Sequence, residues 1–177
     1  LAMVPEMDED PEILGHLREC LNEYLGIPVR LLAYNPTNLT RVFEMFEHLG
    51  RALKAAEKGH TLAHKMKAQF MSWGDNFYDR TRNKKVTFIA GLSPFVIGGG
   101  WIADIIRYAS ALPQTVRGQV GAEVTWEDIR TFRPDVIIVA PEGYTIAESR
   151  RSFLELEKLP GWEELPAVKR GEVFFAD

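Results

Sequence analysis

The fold is decided by residues 38–82, which read NLTRVFEMFEHLGRALKAAEKGHTLAHKMKAQFMSWGDNFYDRTR. Apolar side chains recur here at the three- and four-residue steps of an α-helix, in two successive stripes. The stripes are Leu39, Val42, Phe43, Phe46, Leu49 and Leu53, and then Leu62, Met66, Phe70, Trp73 and Phe77. The pattern predicts a helical spine that starts from an N-cap at Thr37 or Asn38, with Gly50 and Gly59 as points where it breaks or kinks. A helix of some twenty residues spans about 30 Å, which is long enough to join two lobes.

Downstream of the spine, strand patterns alternate with helix patterns. The predicted strands are 85–90, 136–140 and 173–176. The strand 136–140 is almost wholly apolar, which is typical of a parallel sheet covered on both faces. Alternation of this kind predicts an α/β fold with a doubly wound, mostly parallel, Rossmann-like sheet.

Upstream of the spine, the sequence predicts only part of a lobe. Short strands are expected at 1–4 and 27–34, around a helix that Gly26 ends. The predicted organisation is therefore a partial first α/β lobe, a helical spine and a second α/β lobe, at 1–37, 38–83 and 84–177.

The composition is that of a soluble globular protein, with 46% hydrophobic and 26% charged residues in 177. A formal net charge of -4 argues against a nucleic-acid partner. No apolar run approaches the roughly 18 residues of a membrane span. Cys20 is the only cysteine, so the sequence predicts no disulfide within the chain.

Two segments that follow predicted strands carry aromatic residues next to glycines, and ligands of parallel sheets meet such segments. They are 93–101, with Phe95 and Trp101, and 141–144, with Glu142, Gly143 and Tyr144. Exposed backbone beside aromatic rings suits a large, flat, partly apolar ligand. The alternative interpretation, given equal weight, is that Phe95 and Trp101 only cover the edge of the sheet.

Other patterns carry weaker chemistry. Gly98, Gly99 and Gly100 precede a predicted helix and suggest a nucleotide-binding enzyme, but neither the dinucleotide nor the Walker spacing occurs. His60 and His64 are four residues apart, as metal ligands on a helix would be, yet a solvated helix face is the expected interpretation and no metal site is predicted. No nucleophile motif appears, so no catalysis is expected.

Eight phrases of the sequence, in this order, resemble the helical-backbone (class III) solute-binding proteins of ABC importers. They are GIPV (26–29), NPTNLTRV (35–42), HLG (48–50), SPF (93–95), GGWIADII (99–106), VTWEDI (124–129), RPDVIIVAP (133–141) and PGWEELPAVKRGEVF (160–174). The loop at 140–143 and the turn at 160–162 look most like the cobalamin-binding branch.

The resemblance implies a Venus-flytrap protein that binds cobalamin or another corrinoid and performs no chemistry on it. It would deliver this small molecule to the membrane permease subunits of an ABC importer, from a periplasmic or membrane-anchored extracellular position. Phe95 matches the aromatic residue that the family places against the corrin. Trp101 and the loop Glu142–Tyr144 would be its neighbours, and Glu127 matches the glutamate that docks on arginines of the permease.

The sequence also departs from the family pattern. The strand and helix that open the first lobe, and the closing helix after the last strand, have no counterpart, so a chain shortened at both ends is expected. Gly121 and Ala122 stand where some cobalamin binders have a tryptophan. The alternatives are a ferric-siderophore or haem carrier of the same family, the nucleotide-binding enzyme at Gly98–Gly100, and a scaffold without ligand.

Overall fold

The computed structural model describes residues 2–4, 11–116 and 119–176, in two compact units, Leu1–Pro36 and Thr37–Asp177. The first unit contains β1 (Ala2–Val4), α1 (Pro11–Leu25) and β2 (Leu31–Ala33), and its two strands pair in parallel. Gly26 follows α1 with a φ of 66°, as the sequence predicted for a residue that ends a helix. The second strand is shorter than the predicted 27–34.

The spine consists of two helices, α2 (Leu39–Ala52) and α3 (Ala56–Thr81). Asn38 is the N-cap of α2, as predicted, because its side chain accepts a hydrogen bond from the N–H of Arg41 at 2.9 Å. The chain turns between the two helices at Lys54, whose φ is 56°.

Gly50 and Gly59 lie inside the helices, and the spine breaks between them, at 53–55, instead of at the glycines themselves. Both are buried where α2 and α3 approach each other closely. A Cβ atom on Gly59 would lie 2.6 Å from the carbonyl oxygen of Phe46, and one on Gly50 would lie 2.8 Å from the Cα of Gly59. The two glycines are needed because a side chain would separate the helices.

The predicted apolar stripes are only partly buried. Leu39, Phe43 and Ala63 form a small core together with residues that are half-buried, namely Phe46, Met66, Phe70 and Tyr108. Leu62, Trp73 and Phe77 of the second stripe are 45–46% exposed, whereas an apolar stripe of this kind is typical of a buried helix face. Trp73 and Phe77 are exposed because α3 is longer than α2, since 14 residues of α2 extend about 21 Å and 26 residues of α3 about 39 Å.

The second unit also holds a mainly parallel sheet, as predicted, in the order β6-β4-β3-β7-β8 with β5 beside β3. Its strands are β3 (Lys85–Leu92), β4 (Phe95–Gly98), β5 (Leu112–Pro113), β6 (Gly121–Val124), β7 (Val136–Val139) and β8 (Val173–Phe175). Strands β5, β7 and β8 continue the parallel direction of β3, whereas β4 is antiparallel to β3 and β6. The helices between them are α4 (Gly100–Tyr108), α5 (Trp126–Phe132), α6 (Ile146–Leu156), a 3-10 turn (Trp162–Glu164) and α7 (Pro166–Lys169).

Alternate residues of β7 bury on opposite faces of this sheet. Ile137 and Val139 pack in a core with Trp162 and Leu165, and Val136 and Ile138 pack against a second core. The sheet is therefore covered on both faces, as the apolar run 136–140 predicted. No helix among the described residues combines the length and the apolar character needed to cross a membrane.

The segment 91–100 is not the long loop that its glycines and proline indicated. Only Ser93 and Pro94 form a turn, and the chain then returns as β4, which pairs with β3 and β6. The predicted site residue Phe95 is thus a strand residue opposite Leu92 and Val124.

Candidate ligand-binding site

Three connections meet where the parallel strands of the second unit end, and we call them together the carboxyl edge. They are the turn 92–95, the start of α5 at 125–127 and the loop 141–144. The N–H of Glu142 donates to the carbonyl oxygen of Ala90 at 3.1 Å, which fixes the loop beside the end of β3. Ligands of open α/β sheets bind at this edge, since the connections there vary without disturbing the core.

Phe95 is half-buried and begins a row of three aromatic rings that leads from the carboxyl edge into the core. Its ring centroid lies 6.1 Å from that of Trp126, which lies 5.8 Å from that of Trp162. The indole N–H of Trp126 donates to the carbonyl oxygen of Pro160 at 2.9 Å. Phe95 is therefore held from behind, as a rigid wall of a binding site must be. Trp126 and Trp162 occur in the phrases that carry the resemblance, but no sequence pattern marked them as site residues.

The loop 141–144 offers exposed side chains beside this wall. Tyr144 is 43% exposed, and its N–H donates to the carbonyl oxygen of Pro141 at 3.1 Å. Gly143 has a φ of 77° with open space around it, so the turn alone requires glycine there. Glu142 is exposed as well.

Trp101 is not part of this edge. It is the second residue of α4 and follows the far end of β4, whereas Phe95 begins that strand. Its side chain is 45% exposed. The structure therefore brings together Phe95, Glu127 and the loop Glu142–Tyr144, and it leaves Trp101 at the opposite end of β4.

Glu127 lies in the first turn of α5, and a capping box fixes this turn. The Thr125 hydroxyl accepts from the N–H of Asp128, while the Asp128 carboxylate accepts from the N–H and hydroxyl of Thr125 at 2.8 and 2.6 Å. The Glu127 side chain is 68% exposed, and Arg130 donates to it at 2.8 Å. An exposed carboxylate on a fixed helical turn is suited to meeting a cationic partner.

Hydrogen bonds to carboxylates at the starts of α5 and α6 make the stability of the protein pH-dependent. The Thr125 hydroxyl and, next, its N–H lower the pKa of Asp128 from the ordinary 3.8, and the Thr145 N–H and hydroxyl lower the pKa of Glu148 from 4.5. A lowered pKa contributes stability above the ordinary value, and that contribution is lost as pH falls through the lowered value.

We therefore expect Asp128→Asn to destabilise the protein at pH 7, and we expect this effect to decrease once the pH falls below the ordinary 3.8 and to disappear as it passes through the lowered pKa of Asp128. Urea unfolding of the wild type and the variant between pH 2.5 and 7 would measure the difference. Thr125→Ala removes the hydroxyl that is the largest cause of the lowered Asp128 pKa, so Asp128→Asn should have a smaller effect on stability in a Thr125→Ala background. Curves that stay parallel over the whole pH range would contradict the prediction.

The three glycines at 98–100 are explained by close packing. A Cβ atom on Gly98 would lie 2.8 Å from the Phe88 ring, one on Gly99 would lie 2.5 Å from the Gln119 carbonyl oxygen, and one on Gly100 would lie 2.6 Å from that of Thr37. Protein atoms therefore fill the space that a phosphate cradle would leave open beside these residues.

The histidine pair faces a carboxylate of the neighbouring helix. The ring centroids of His60 and His64 are 5.1 Å apart, and Nδ1 of His60 lies 3.2 Å from Oε1 of Glu47. Within 2–4, 11–116 and 119–176, no three or more His, Cys, Asp or Glu residues are arranged to hold a metal ion.

A cavity of about 310 Å³ lies away from the carboxyl edge, at the starts of α2 and α4. Asp104 lines it and accepts a hydrogen bond from the N–H of Leu39 at 3.0 Å, and Arg107 donates to Asp104 at 3.0 Å. These charges already bind each other and the first turn of α2.

The fold agrees with a family match that covers most of the sequence. Residues 22–177 match the family described as periplasmic binding protein. The chain belongs to this family. No curated protein matches the chain.

Solved structures of periplasmic binding proteins share the fold at low sequence identity. A possible iron-binding (periplasmic solute-binding) protein from Staphylococcus epidermidis superposes with a TM-score of 0.76 at 15% identity, over 99% of this chain and 67% of that chain. The heme-binding RhuT from Roseiflexus sp. RS-1, in its apo form, gives 0.71 at 23% identity, over 99% and 65%. The vitamin B12 binding protein BtuF of Vibrio cholerae gives 0.63 at 16%, over 99% and 64%. The chain thus spans about two thirds of the length of these periplasmic binding proteins.

Proposed function

We propose that this periplasmic binding protein is a carrier that binds a corrinoid, cobalamin or a close relative, at its carboxyl edge. It delivers the ligand to the membrane permease subunits of an ABC importer, from the periplasm or from the outer face of the membrane. Phe95 and Tyr144 contact the ring system of the ligand, with Glu142 and Gly143 beside them. Glu127 binds the permease.

The observation that carries this proposal is the family match together with the aromatic wall at the carboxyl edge. Phe95 is held by Trp126, and the exposed Tyr144 projects from the next connection along the same edge. Two aromatic side chains, one fixed and one exposed, suit a flat macrocycle that buries apolar area on its faces. Trp101 belongs to the proposed contacts only if the ligand extends past the other end of β4.

A haem or ferric-siderophore ligand is the second candidate, and a specific observation favours it. The heme-binding RhuT shares 23% of its residues with this chain, whereas the vitamin B12 binding BtuF shares 16%. Corrinoids, haems and many ferric siderophores are large metal complexes, so the same aromatic wall would receive any of them.

Calorimetric titration with cyanocobalamin, cobinamide, haem and a ferric siderophore would test the proposal. We expect saturable, one-to-one binding of the two corrinoids. Saturation by haem or siderophore alone would transfer the proposal to the second candidate. Binding of a dinucleotide and none of these ligands would favour the enzyme at Gly98–Gly100, and binding of nothing would favour the scaffold.

Tyr144→Ala should weaken corrinoid affinity by about tenfold, because an aromatic contact contributes about 0.5–1.5 kcal/mol beyond the area that it buries. The side chain is 43% exposed, so the fold should be unaffected. Tyr78→Ala on α3 is the matched control, since Tyr78 is 51% exposed and lies outside the carboxyl edge. Equal affinities of the two variants would remove Tyr144 from the site.

A further inference from the structure

Arg130 lies between the proposed docking residue and a turn that is distant in sequence. One guanidinium nitrogen, Nη1, donates to Oε2 of Glu127 at 2.8 Å. The rest of the group lies against Gly161, where a Cβ atom would be 2.8 Å from Nε and 3.2 Å from both Cζ and Nη2. The guanidinium therefore occupies the space that a side chain at position 161 would need, while it binds the carboxylate.

The turn at Gly161 is itself fixed to α5. The carbonyl oxygen of Pro160 accepts the indole N–H of Trp126 at 2.9 Å, and the buried Trp162 packs against the same indole. Arg130 and Trp126 thus bind the two sides of the turn 160–162. Because the turn cannot move independently of α5, it holds the guanidinium in one place.

A second ion pair in this protein, between Lys158 and Glu155, is more exposed and serves as a comparison. Lys158 donates to Glu155 at 2.7 Å across the same three-residue step, and its side chain is 68% exposed. The Arg130 side chain is 35% exposed, since it packs on the turn. Exposed ion pairs such as Lys158–Glu155 leave both side chains mobile and contribute little to stability.

We propose that Arg130, supported by Gly161, is a positioning residue that fixes the Glu127 carboxylate for docking on the permease. This inference rests on the proposed function, because it requires Glu127 to meet a cationic partner. A carboxylate already held in one rotamer loses less side-chain entropy when the partner's arginine binds it. Gly161 is glycine for two reasons, its φ of 76° and the space that the guanidinium occupies.

Gly161→Ala is the decisive variant, because it displaces the guanidinium without changing any charge. Gly171→Ala is its matched control, since Gly171 also has a positive φ, 67°, but nothing within 4 Å of its Cβ position. Arg130→Lys keeps the charge and loses the planar group that packs on the turn. Each variant would be checked for folding by circular dichroism and thermal unfolding.

The measurement is the affinity of the protein for its importer complex in lipid nanodiscs, by biolayer interferometry at several salt concentrations. We expect Gly161→Ala and Arg130→Lys to weaken docking about three- to tenfold and Gly171→Ala to leave it unchanged. In a Glu127→Ala background, Arg130→Lys should have no further effect, because it acts through that carboxylate.

The outcomes separate this inference from the proposed function. If Glu127→Ala weakens docking while Gly161→Ala and Arg130→Lys bind like the wild type, Glu127 docks without support and the positioning role is wrong. If Arg130→Lys weakens docking equally in the Glu127→Ala background, Arg130 has its own contact and the inference also fails. If Glu127→Ala docks normally, the proposed docking role fails first, and the positioning role fails with it.

Discussion

Replacing Gly59 by alanine should lower the free energy of unfolding by about 2 kcal/mol. The new Cβ atom would lie 2.6 Å from the Phe46 carbonyl oxygen and 2.9 Å from the Cα of Gly50, both backbone atoms that no side-chain rotation can move. Overpacking of this kind costs about 1–3 kcal/mol, and the better helix propensity of alanine returns up to about 1 kcal/mol. We place the steric cost at the upper end, because α2 must shift as a whole.

Thermal and urea unfolding would measure this loss, and in a chain of this size it corresponds to a fall of about 4–8 °C in Tm. Gly15→Ala is the control, since Gly15 is a helical residue of α1 with nothing within 4 Å of its Cβ position. It should be neutral or slightly stabilising. Gly50→Ala combined with Gly59→Ala should cost less than the sum of the two, because helices that have moved apart accommodate both methyl groups. An unchanged or higher stability of Gly59→Ala would contradict the close helix approach.

Local sequence patterns predict an element of this fold well where the contacts that form the element lie within a few residues of each other. The helix Trp126–Phe132 with its cap at Thr125 is local in this sense, because the capping box is contained within four residues. The N-cap at Asn38 is local in the same way. A glycine, in contrast, breaks a helix in one setting and lets two helices touch in another. Only the partner helix decides between these roles, as Gly50 and Gly59 show.

The antiparallel strand β4 could not be predicted for a related reason. Its four residues, Phe95–Gly98, follow a proline and end in glycines, and such neighbours indicate a loop. The strand exists because β3 and β6 supply hydrogen bonds on its two sides. One of these partners, β6, is distant in sequence from β4, so no local sequence pattern predicts this pairing.

The candidate site was predictable to the extent that it follows from strand order. Phe95 begins β4, and Glu127 and Tyr144 follow the ends of β6 and β7 by three and five residues. Parallel strands bring such connections to one edge. Trp101 lies at the opposite end of β4, because this antiparallel strand carries the chain away from the carboxyl edge first. The proposed support of Glu127 depends on Arg130 and Gly161, which are 31 positions apart in the sequence, and only the folded structure brings these two residues together.

If Glu127 has the proposed docking role, Glu127→Ala should reduce importer-stimulated ATP hydrolysis at subsaturating protein by at least tenfold and leave the affinity for the proposed corrinoid ligand unchanged. Loss of one partner from a desolvated charge pair across an interface costs about 2–5 kcal/mol, because the arginine of the permease remains without its carboxylate. Glu127→Gln should behave in the same way, since the shape is kept and only the charge is removed. The effect should diminish with added salt, which screens the attraction in the wild type.

Glu155→Ala is the matched control for this experiment. It removes one exposed carboxylate near the end of α6, which forms an i,i+3 ion pair with Lys158. The change in net charge equals that of Glu127→Ala, and α5 is not altered. Equal loss of stimulation in both variants would mean that overall charge, and not a specific contact at Glu127, guides the encounter. Full stimulation by Glu127→Ala would remove this residue from the interface. Loss confined to Glu127→Ala would place the start of α5 against the permease, because only that variant alters a side chain at the carboxyl edge.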